Sequence, residues 1–149
     1  MKRNATAVWR GGGKDGQGVL TTPSGVLREQ PYSAHLRFES ESGREGTNPE
    51  ELIAAAEAGC FSMALSFALS GAGYTPEQLT TDAELTMEKE EIGWTIKTIR
   101  LRLRGQVPGI SEGQFREFAE KAKAGCPISR LLKADIQLDA RLLSATPAA

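Results

Sequence analysis

The hydrophobic positions along this chain change their period several times, and each period predicts one kind of element. Apolar residues that alternate with polar ones are typical of strands with one buried face. Alternation predicts strands over 32–39, 83–87 and 136–142, and over 94–105 with one break in the pattern. Two further strands, 6–10 and 19–25, are predicted on either side of the glycine-rich turn "GGGKDGQG". Along 32–39 Ala34, Leu36 and Phe38 alternate with polar residues, so Arg37 is expected on the solvent face of a strand.

A long apolar stretch that follows "GTNP" gives the strongest helical signal in the chain. Asn48 is a good N-cap, Pro49 suits the first helical position, and Gly71 and Gly73 end the helix. After Glu57 the helix is apolar on every side, which is typical of a helix that is buried all round. Its uncharged part contains three serines and three glycines, so we interpret it as a core helix rather than a membrane span.

Two more helices and a change of parity complete the pattern. An amphipathic helix is predicted over 111–125, and a short helix over 127–133. Along 94–105 the apolar parity switches. This switch predicts either a bulge near Lys97 and Thr98 or a strand covered on both faces, for example by another subunit.

The predicted order of elements is β-β-β-α-β-β-α-α-β, an α+β fold by its grouping of strands. At 149 residues we expect a single domain, 1–149, that is large enough to bury a substantial core. The last residues, 144–149, are expected to be frayed.

Composition and charge narrow the function classes. The net charge of −1 gives no electrostatic reason to expect nucleic acid or a membrane surface as a partner. The first residues, "MKRNATAVWR", lack the apolar core of a secretory signal, so we expect a cytoplasmic protein. Disulfides rarely persist in that compartment, so the two cysteines are expected to be inert, metal-binding or redox-active.

Those two cysteines are the candidates for chemistry. A structural zinc site needs about four Cys or His ligands. The chain has two cysteines and one histidine, so we expect no metal site. Cys126 precedes Pro127 at the start of the short helix, where the helix dipole favours a thiolate. Cys60 lies about three turns into its own helix.

Nothing on its own helix favours a thiolate at Cys60. Glu57, one turn earlier, disfavours it by charge repulsion. A reactive Cys60 therefore needs a cation from another element, and the residues alone leave four candidates open: Arg28, Arg37, Arg44 and Arg130.

Several segments together resemble a known family. They are "SGVLREQPYS", "RFE", "GTNPEELIAAAEAGCFSMALS", "KAKAGCPIS" and "LKADIQLDA". In sequence and spacing they are similar to the OsmC/Ohr hydroperoxide-reductase family, and "SGVL" followed by "QPY" resembles the OsmC branch. The resemblance implies an OsmC-like β3-α-β2-α2-β subunit with a buried central helix. It also implies an intertwined homodimer with active sites at the subunit interface.

The same resemblance implies roles for four residues. Cys60 matches the peroxidatic cysteine, Cys126 the resolving cysteine, Arg37 the arginine that supports the thiolate, and Glu50 the acid that positions this arginine. Glu50 lies ten residues before Cys60, about 15 Å along a helix, so it can act on the thiol only through another group.

The implied activity is a thiol-dependent, peroxiredoxin-like peroxidase that reduces organic hydroperoxides and protects against oxidative stress. The implied chemistry needs no bound cofactor, and an external dithiol or a lipoyl-type reductant restores the thiols. We expect a pocket that favours bulky hydroperoxides, lined by four apolar residues of the central helix: Phe61, Met63, Leu65 and Phe67. Apolar residues at this helical spacing are also typical of an ordinary hydrophobic core.

Two other classes of function stay open at this point. The chain could be a non-catalytic, small-molecule-binding dimer with inert cysteines. It could also be a thiol-based redox sensor whose disulfide is a signal rather than a step of turnover. The rate at which the thiols react distinguishes these classes from a peroxidase.

Overall fold

The computed structural model describes residues 1–144, and it divides the chain into two compact units, the first from Met1 to Leu52 and the second beginning at Ile53. The predicted frayed tail lies outside the described residues from position 145 onward. The elements in chain order are β1 (Thr6–Arg10), β2 (Gln17–Thr21), β3 (Gln30–Ser33), α1 (Ala34–Phe38), α2 (Pro49–Gly71), β4 (Gln78–Glu90), β5 (Gly93–Gln106), α3 (Glu112–Gly125), α4 (Pro127–Leu131) and β6 (Asp135–Leu142). The α+β prediction is confirmed.

The first unit contains an antiparallel sheet in the order β1-β2-β3. Trp9 and Tyr32 both pair with Gly18 in this sheet. A Cβ atom on Gly18 would lie 2.5 Å from the Tyr32 ring and 2.7 Å from the Trp9 ring, closer than real Cβ contacts come. Glycine at this position therefore lets the two rings lie together over the sheet, with centroids 5.3 Å apart.

The prediction of a third strand over 32–39 is wrong beyond Ser33. The chain leaves the sheet there and forms the short helix α1. Ser33 is the N-cap of this helix, because its side chain accepts a hydrogen bond from the backbone N–H of Leu36 at 3.1 Å. Arg37 is consequently carried by a helix rather than by a strand.

The second unit is built around a sheet in the order β4-β5-β6. β4 and β5 are antiparallel, whereas β5 and β6 are parallel and need the crossover that α3 and α4 supply. The pairing jumps from Thr98 to Ile96, so the bulge predicted near Lys97 is confirmed. The core combines apolar side chains of α2, β5 and α3, among them Phe61, Leu65, Leu69, Ile99, Leu101, Leu103 and Phe115.

Helix α2 starts where Asn48 Oδ1 accepts a hydrogen bond from the backbone N–H of Glu51 at 2.8 Å, as the N-cap prediction expected. One side of the helix is buried, at positions 57, 61, 65 and 69. By length and composition alone α2 is apolar enough to cross a membrane. Its buried side packs into the core of the second unit, as the core-helix interpretation expected. The prediction of burial on every side is not met in the single chain, where Met63 and Phe67 are exposed.

Candidate functional site

Cys126 is fixed at the corner between two helices of the second unit. It is the C-cap of α3 and the N-cap of α4, and Pro127 follows it at the first position of α4. Its backbone N–H donates to Ala122 at 2.9 Å, and its carbonyl accepts from Arg130 at 3.0 Å. The side chain is fully buried. The predicted N-cap position of Cys126 is confirmed.

The corner brings Cys126 directly against Cys60 of helix α2. The two Sγ atoms lie 2.6 Å apart, although 66 positions separate the residues in the chain. Both are free cysteines, and Cys60 is half-buried. A disulfide joins its sulfurs at about 2.05 Å. The two thiols therefore need only a small movement to form a bond.

The surroundings of Cys60 within this unit oppose a thiolate. Burial raises the pKa of Cys60 above its ordinary value of 9.0, and the hydrogen bond with Cys126 raises it further. The charge of Glu57 acts in the same direction, as its sequence position predicted. A backbone hydrogen bond from Ile128 acts in the opposite direction and lowers the pKa. A reactive Cys60 therefore requires a positive charge in addition to these groups.

Arg37 and Glu50 form an ion pair in the first unit. Arg37 Nε donates to the two carboxylate oxygens of Glu50 at 3.0 and 3.1 Å, and Nη2 donates to Oε1 at 2.5 Å. Arg37 lies in α1 and Glu50 in the first turn of α2. Glu50 thus holds the guanidinium in a two-pronged contact, which is the most directional way in which a carboxylate can orient an arginine.

The other arginines that the sequence left open have different surroundings. Arg28 donates from Nε to the carbonyl of Gly25 at 3.0 Å within its own loop. Arg44 lies in the segment before α2, and Arg130 lies exposed on α4. Among these four arginines, Arg37 forms an ion pair with Glu50. Glu50 is the acid that the resemblance assigns to this role.

The four apolar residues assigned to a substrate pocket lie on two sides of α2. Phe61 and Leu65 have no exposed surface and belong to the core of the second unit. Met63 and Phe67 point away from that core and are 63% and 74% exposed. In a single chain the four therefore do not line one surface, and the exposed side of α2 is left as an uncovered apolar face.

An aromatic cleft beside Arg37 was missed by the sequence analysis. It encloses about 210 Å³ in the first unit, and Trp9, Tyr32, Phe38 and Pro49 contribute to its lining together with Arg37. The Phe38 ring centroid lies 4.9 Å from Arg37 Cζ. The signal available in the sequence was that two predicted strands each carry an aromatic residue, Trp9 and Tyr32. The strand pattern alone does not show that their rings lie together.

A second contact that the sequence did not reveal lies next to Cys60. Glu57 is fully buried one turn before Cys60, and its Oε1 accepts a hydrogen bond from the hydroxyl of Ser129 in α4. A charged residue inside an otherwise apolar helix was the visible signal, but its partner is 72 positions away. Among residues 1–144 there is no group of three or more His, Cys, Asp and Glu side chains that could hold a metal ion.

Comparison with known proteins gives consistent similarities. A family model described as OsmC-like protein matches residues 41–141. The chain is 49% identical to peroxiredoxin OsmC of Escherichia coli strain K12 over 144 residues, which cover 97% of this chain and 99% of that protein. It is 28% identical to an organic hydroperoxide resistance protein of Xanthomonas axonopodis pv. citri, over 91% of this chain and 89% of that protein.

Solved structures with low sequence identity share the fold. An OsmC-like protein of unknown function from Vibrio cholerae superposes with a TM-score of 0.75 at 16% identity, over 94% of this chain and 99% of the other. The organic hydroperoxide resistance protein OhrB of Bacillus subtilis superposes with a TM-score of 0.68 at 24% identity, over 94% of this chain and 98% of the other.

Proposed function

Because the chain belongs to the OsmC-like protein family, we propose that it is a thiol-dependent peroxidase that reduces organic hydroperoxides and protects the cell against oxidative stress. The relative with 49% identity is a peroxiredoxin, and a more distant relative is an organic hydroperoxide resistance protein. These two relatives support the reaction class. The positions of this chain's own residues support the assignment of each step to a particular side chain.

One observation carries the proposal, namely the approach of the two sulfurs to 2.6 Å. Two inert core thiols need no particular relationship to each other, since a buried free cysteine packs as a small hydrophobe. Two thiols that exchange oxidation states must meet, because the first product is a sulfenic acid that a neighbouring thiol traps. The contact between Cys60 and Cys126 supplies this neighbour.

The proposed reaction has three steps. The Cys60 thiolate attacks the O–O bond of the hydroperoxide, which gives the Cys60 sulfenic acid and an alkoxide that takes a proton and leaves as the alcohol. The Cys126 sulfur then attacks the Cys60 sulfur, so that a disulfide forms and the hydroxyl leaves as water with the thiol proton. An external dithiol, for which we favour a lipoyl-type group, reduces the disulfide and is itself oxidised.

Activation of Cys60 is assigned to Arg37, with Glu50 as its positioning residue. Burial raises the pKa of Cys60, so a thiolate at neutral pH needs a nearby cation. The bidentate contact with Glu50 supports this role for Arg37, since a side chain held in one orientation loses little entropy when it binds an anion.

The assembly that we propose is an intertwined homodimer in the cytoplasm. The uncovered apolar face of α2, with Met63 and Phe67, supports it, because an exposed apolar surface of this kind is typical of an interface. In such a dimer a second subunit covers this face of α2.

Substitution of each cysteine tests the proposed steps. We expect Cys60→Ser to lose all reduction of cumene hydroperoxide, whereas Cys126→Ser should still form a Cys60 sulfenic acid that dimedone traps. Intact-mass measurement after one equivalent of peroxide distinguishes the two. Loss of the first oxidation in Cys126→Ser, with a normal first oxidation in Cys60→Ser, would reverse the assigned roles.

A further inference from the structure

The proposed reaction leaves one buried ionisable side chain near Cys60 unused. Glu57 has no exposed surface, and its Oε1 accepts a hydrogen bond from Ser129. Its Oε2 is buried without a hydrogen-bond partner among the described residues. An unpaired buried oxygen is destabilising, so its presence beside a reactive centre calls for an explanation.

Ser129 belongs to the same short segment as Cys126. Two side-chain hydrogen bonds join residues 126–129 to helix α2. One runs from the Cys126 thiol to the sulfur of Cys60. The other joins the hydroxyl of Ser129 to Glu57 and involves no sulfur.

The two hydrogen bonds differ in how they respond to oxidation. When the Cys60 sulfur carries a hydroxyl group, its size and its hydrogen bonds change, so the contact between Cys126 and that sulfur must rearrange. The contact between Glu57 and Ser129 contains no atom that reacts. It is therefore the connection between α2 and α4 that persists at the moment when Cys126 has to attack.

We propose that Glu57 is a positioning residue of the disulfide-forming step, which, through its hydrogen bond to Ser129, holds the start of α4 so that the Cys126 thiol stays within reach of the Cys60 sulfenic acid. This inference rests on the proposed function. In the step concerned, the S–S bond forms and the S–O bond of the sulfenic acid breaks. The hydroxide combines with the proton of Cys126 and leaves as water.

A loss of this contact slows one step and leaves the other unchanged. Reactions between two held groups depend steeply on position, and a displacement of about 1 Å can lower a rate by about 100-fold. The attack on peroxide is made by the Cys60 thiolate and does not use the Cys126 sulfur. A sulfenic acid that waits longer for Cys126 also meets a second peroxide more often, which oxidises it irreversibly to the sulfinic acid.

The test compares variants that separate the hydrogen bond from the charge. Ser129→Ala removes the donor and keeps Glu57. Glu57→Gln keeps an acceptor oxygen for Ser129 and removes the charge. The double variant Glu57→Gln/Ser129→Ala removes both, so it has no lone buried charge and stays informative if Ser129→Ala folds poorly. Ser62→Ala is the matched control, because Ser62 lies on the same helix as Glu57 and its hydroxyl is 2.7 Å from Thr81 Oγ1 of β4.

Each reduced protein is mixed with one equivalent of cumene hydroperoxide and quenched over time. Dimedone traps the sulfenic acid, and intact mass gives the disulfide and the sulfinic acid. In Ser129→Ala and in the double variant we expect the first oxidation within about threefold of the wild-type rate. Disulfide formation should be slower by about tenfold or more, with a larger share of sulfinic acid than in the wild-type protein. Glu57→Gln and Ser62→Ala should form the disulfide within about threefold of the wild-type rate.

Two results would overturn the inference. One is disulfide formation at the wild-type rate in both Ser129→Ala and the double variant. The other is a Glu57→Gln variant as slow as Ser129→Ala, because the charge and not the hydrogen bond would then matter. Failure of the proposed function looks different: the wild-type protein itself would form neither sulfenic acid nor disulfide.

Discussion

Arg37 is held by Glu50 through three hydrogen-bond contacts of 2.5 to 3.1 Å, between the short helix α1 and the first turn of α2. Glu50 is the more buried of the two, so the carboxylate is the fixed partner and the guanidinium is oriented by it. An arginine oriented in this way can present its remaining N–H groups to a second anion.

The first prediction concerns the protonation of Cys60. Its raised pKa means that the thiolate fraction is small at neutral pH and grows as the pH rises. If Arg37 stabilises the thiolate, Arg37→Ala should move the pH midpoint of Cys60 alkylation upward. Glu50→Gln should cause a smaller shift, because Arg37 keeps its charge and loses its orientation.

The measurement is the rate of iodoacetamide alkylation against pH in a Cys126→Ser background, where one thiol remains. Arg28→Ala is the control, because its side chain donates a hydrogen bond to the carbonyl of Gly25 in its own loop. An unchanged midpoint in Arg37→Ala, with a shifted midpoint in Arg130→Ala, would transfer the role to Arg130.

The second prediction separates core from pocket on helix α2. Phe61 and Leu65 are fully buried in the second unit, so Phe61→Ala should lower the free energy of unfolding by about 3–5 kcal/mol and Leu65→Ala by about 2–5 kcal/mol. Ile92→Ala, at a position that is 90% exposed, should change it by less than about 0.5 kcal/mol. Urea denaturation measures all three. Wild-type stability in Phe61→Ala, together with a raised KM for peroxide, would instead make this residue part of the pocket.

The third prediction concerns assembly. If the uncovered apolar face of α2 is a subunit interface, the wild-type chain should sediment as a dimer, and its unfolding midpoint should rise with protein concentration. Phe67→Glu places a charge on this face and should shift the chain toward monomer, whereas Ile92→Glu makes the same change in a turn and should not. A wild-type chain that sediments as a monomer at every concentration would contradict the proposed dimer.

The fourth prediction is a preference for organic hydroperoxides over hydrogen peroxide. An alkyl or aryl group that buries about 100 Å² of apolar surface gains about 2.5 kcal/mol, which is nearly two decades in kcat/KM. Hydrogen peroxide has no such surface. Comparison of cumene hydroperoxide and hydrogen peroxide under one reductant measures the ratio. Equal values of kcat/KM would show that no apolar group contacts the bound substrate.

Much of the fold could be predicted because long elements repeat their pattern. The bulge at Lys97 was one of two interpretations that the parity of β5 allowed, and the cap of α2 followed from Asn48. Helix α1 could not be found in the same way, since five residues are too few to distinguish a period of two from a period of 3.6. Ser33 decides the outcome there as the N-cap of the helix, a hydrogen bond that the alternation of residues does not reveal.

The site was predictable only in part for a related reason. The resemblance to the OsmC/Ohr family is confirmed, and it named Cys60 and Cys126 as a pair before any distance was known. From the residues alone, Cys126 was the favoured thiolate and nothing placed it near Cys60. The contact between Glu57 and Ser129 was not visible, because it depends on the corner between α3 and α4. Sequence position gives no distance between elements that far apart.

The central claim is that this chain turns over organic hydroperoxides through Cys60, and steady-state turnover tests it most directly. Cumene hydroperoxide and excess dithiothreitol are incubated with catalytic amounts of wild-type protein and of Cys60→Ser, and peroxide consumption is followed over many equivalents. The account predicts sustained turnover by the wild-type protein and none above the uncatalysed rate by Cys60→Ser. A wild-type reaction that stops after one equivalent, as a redox sensor would, or turnover that survives Cys60→Ser, would contradict it.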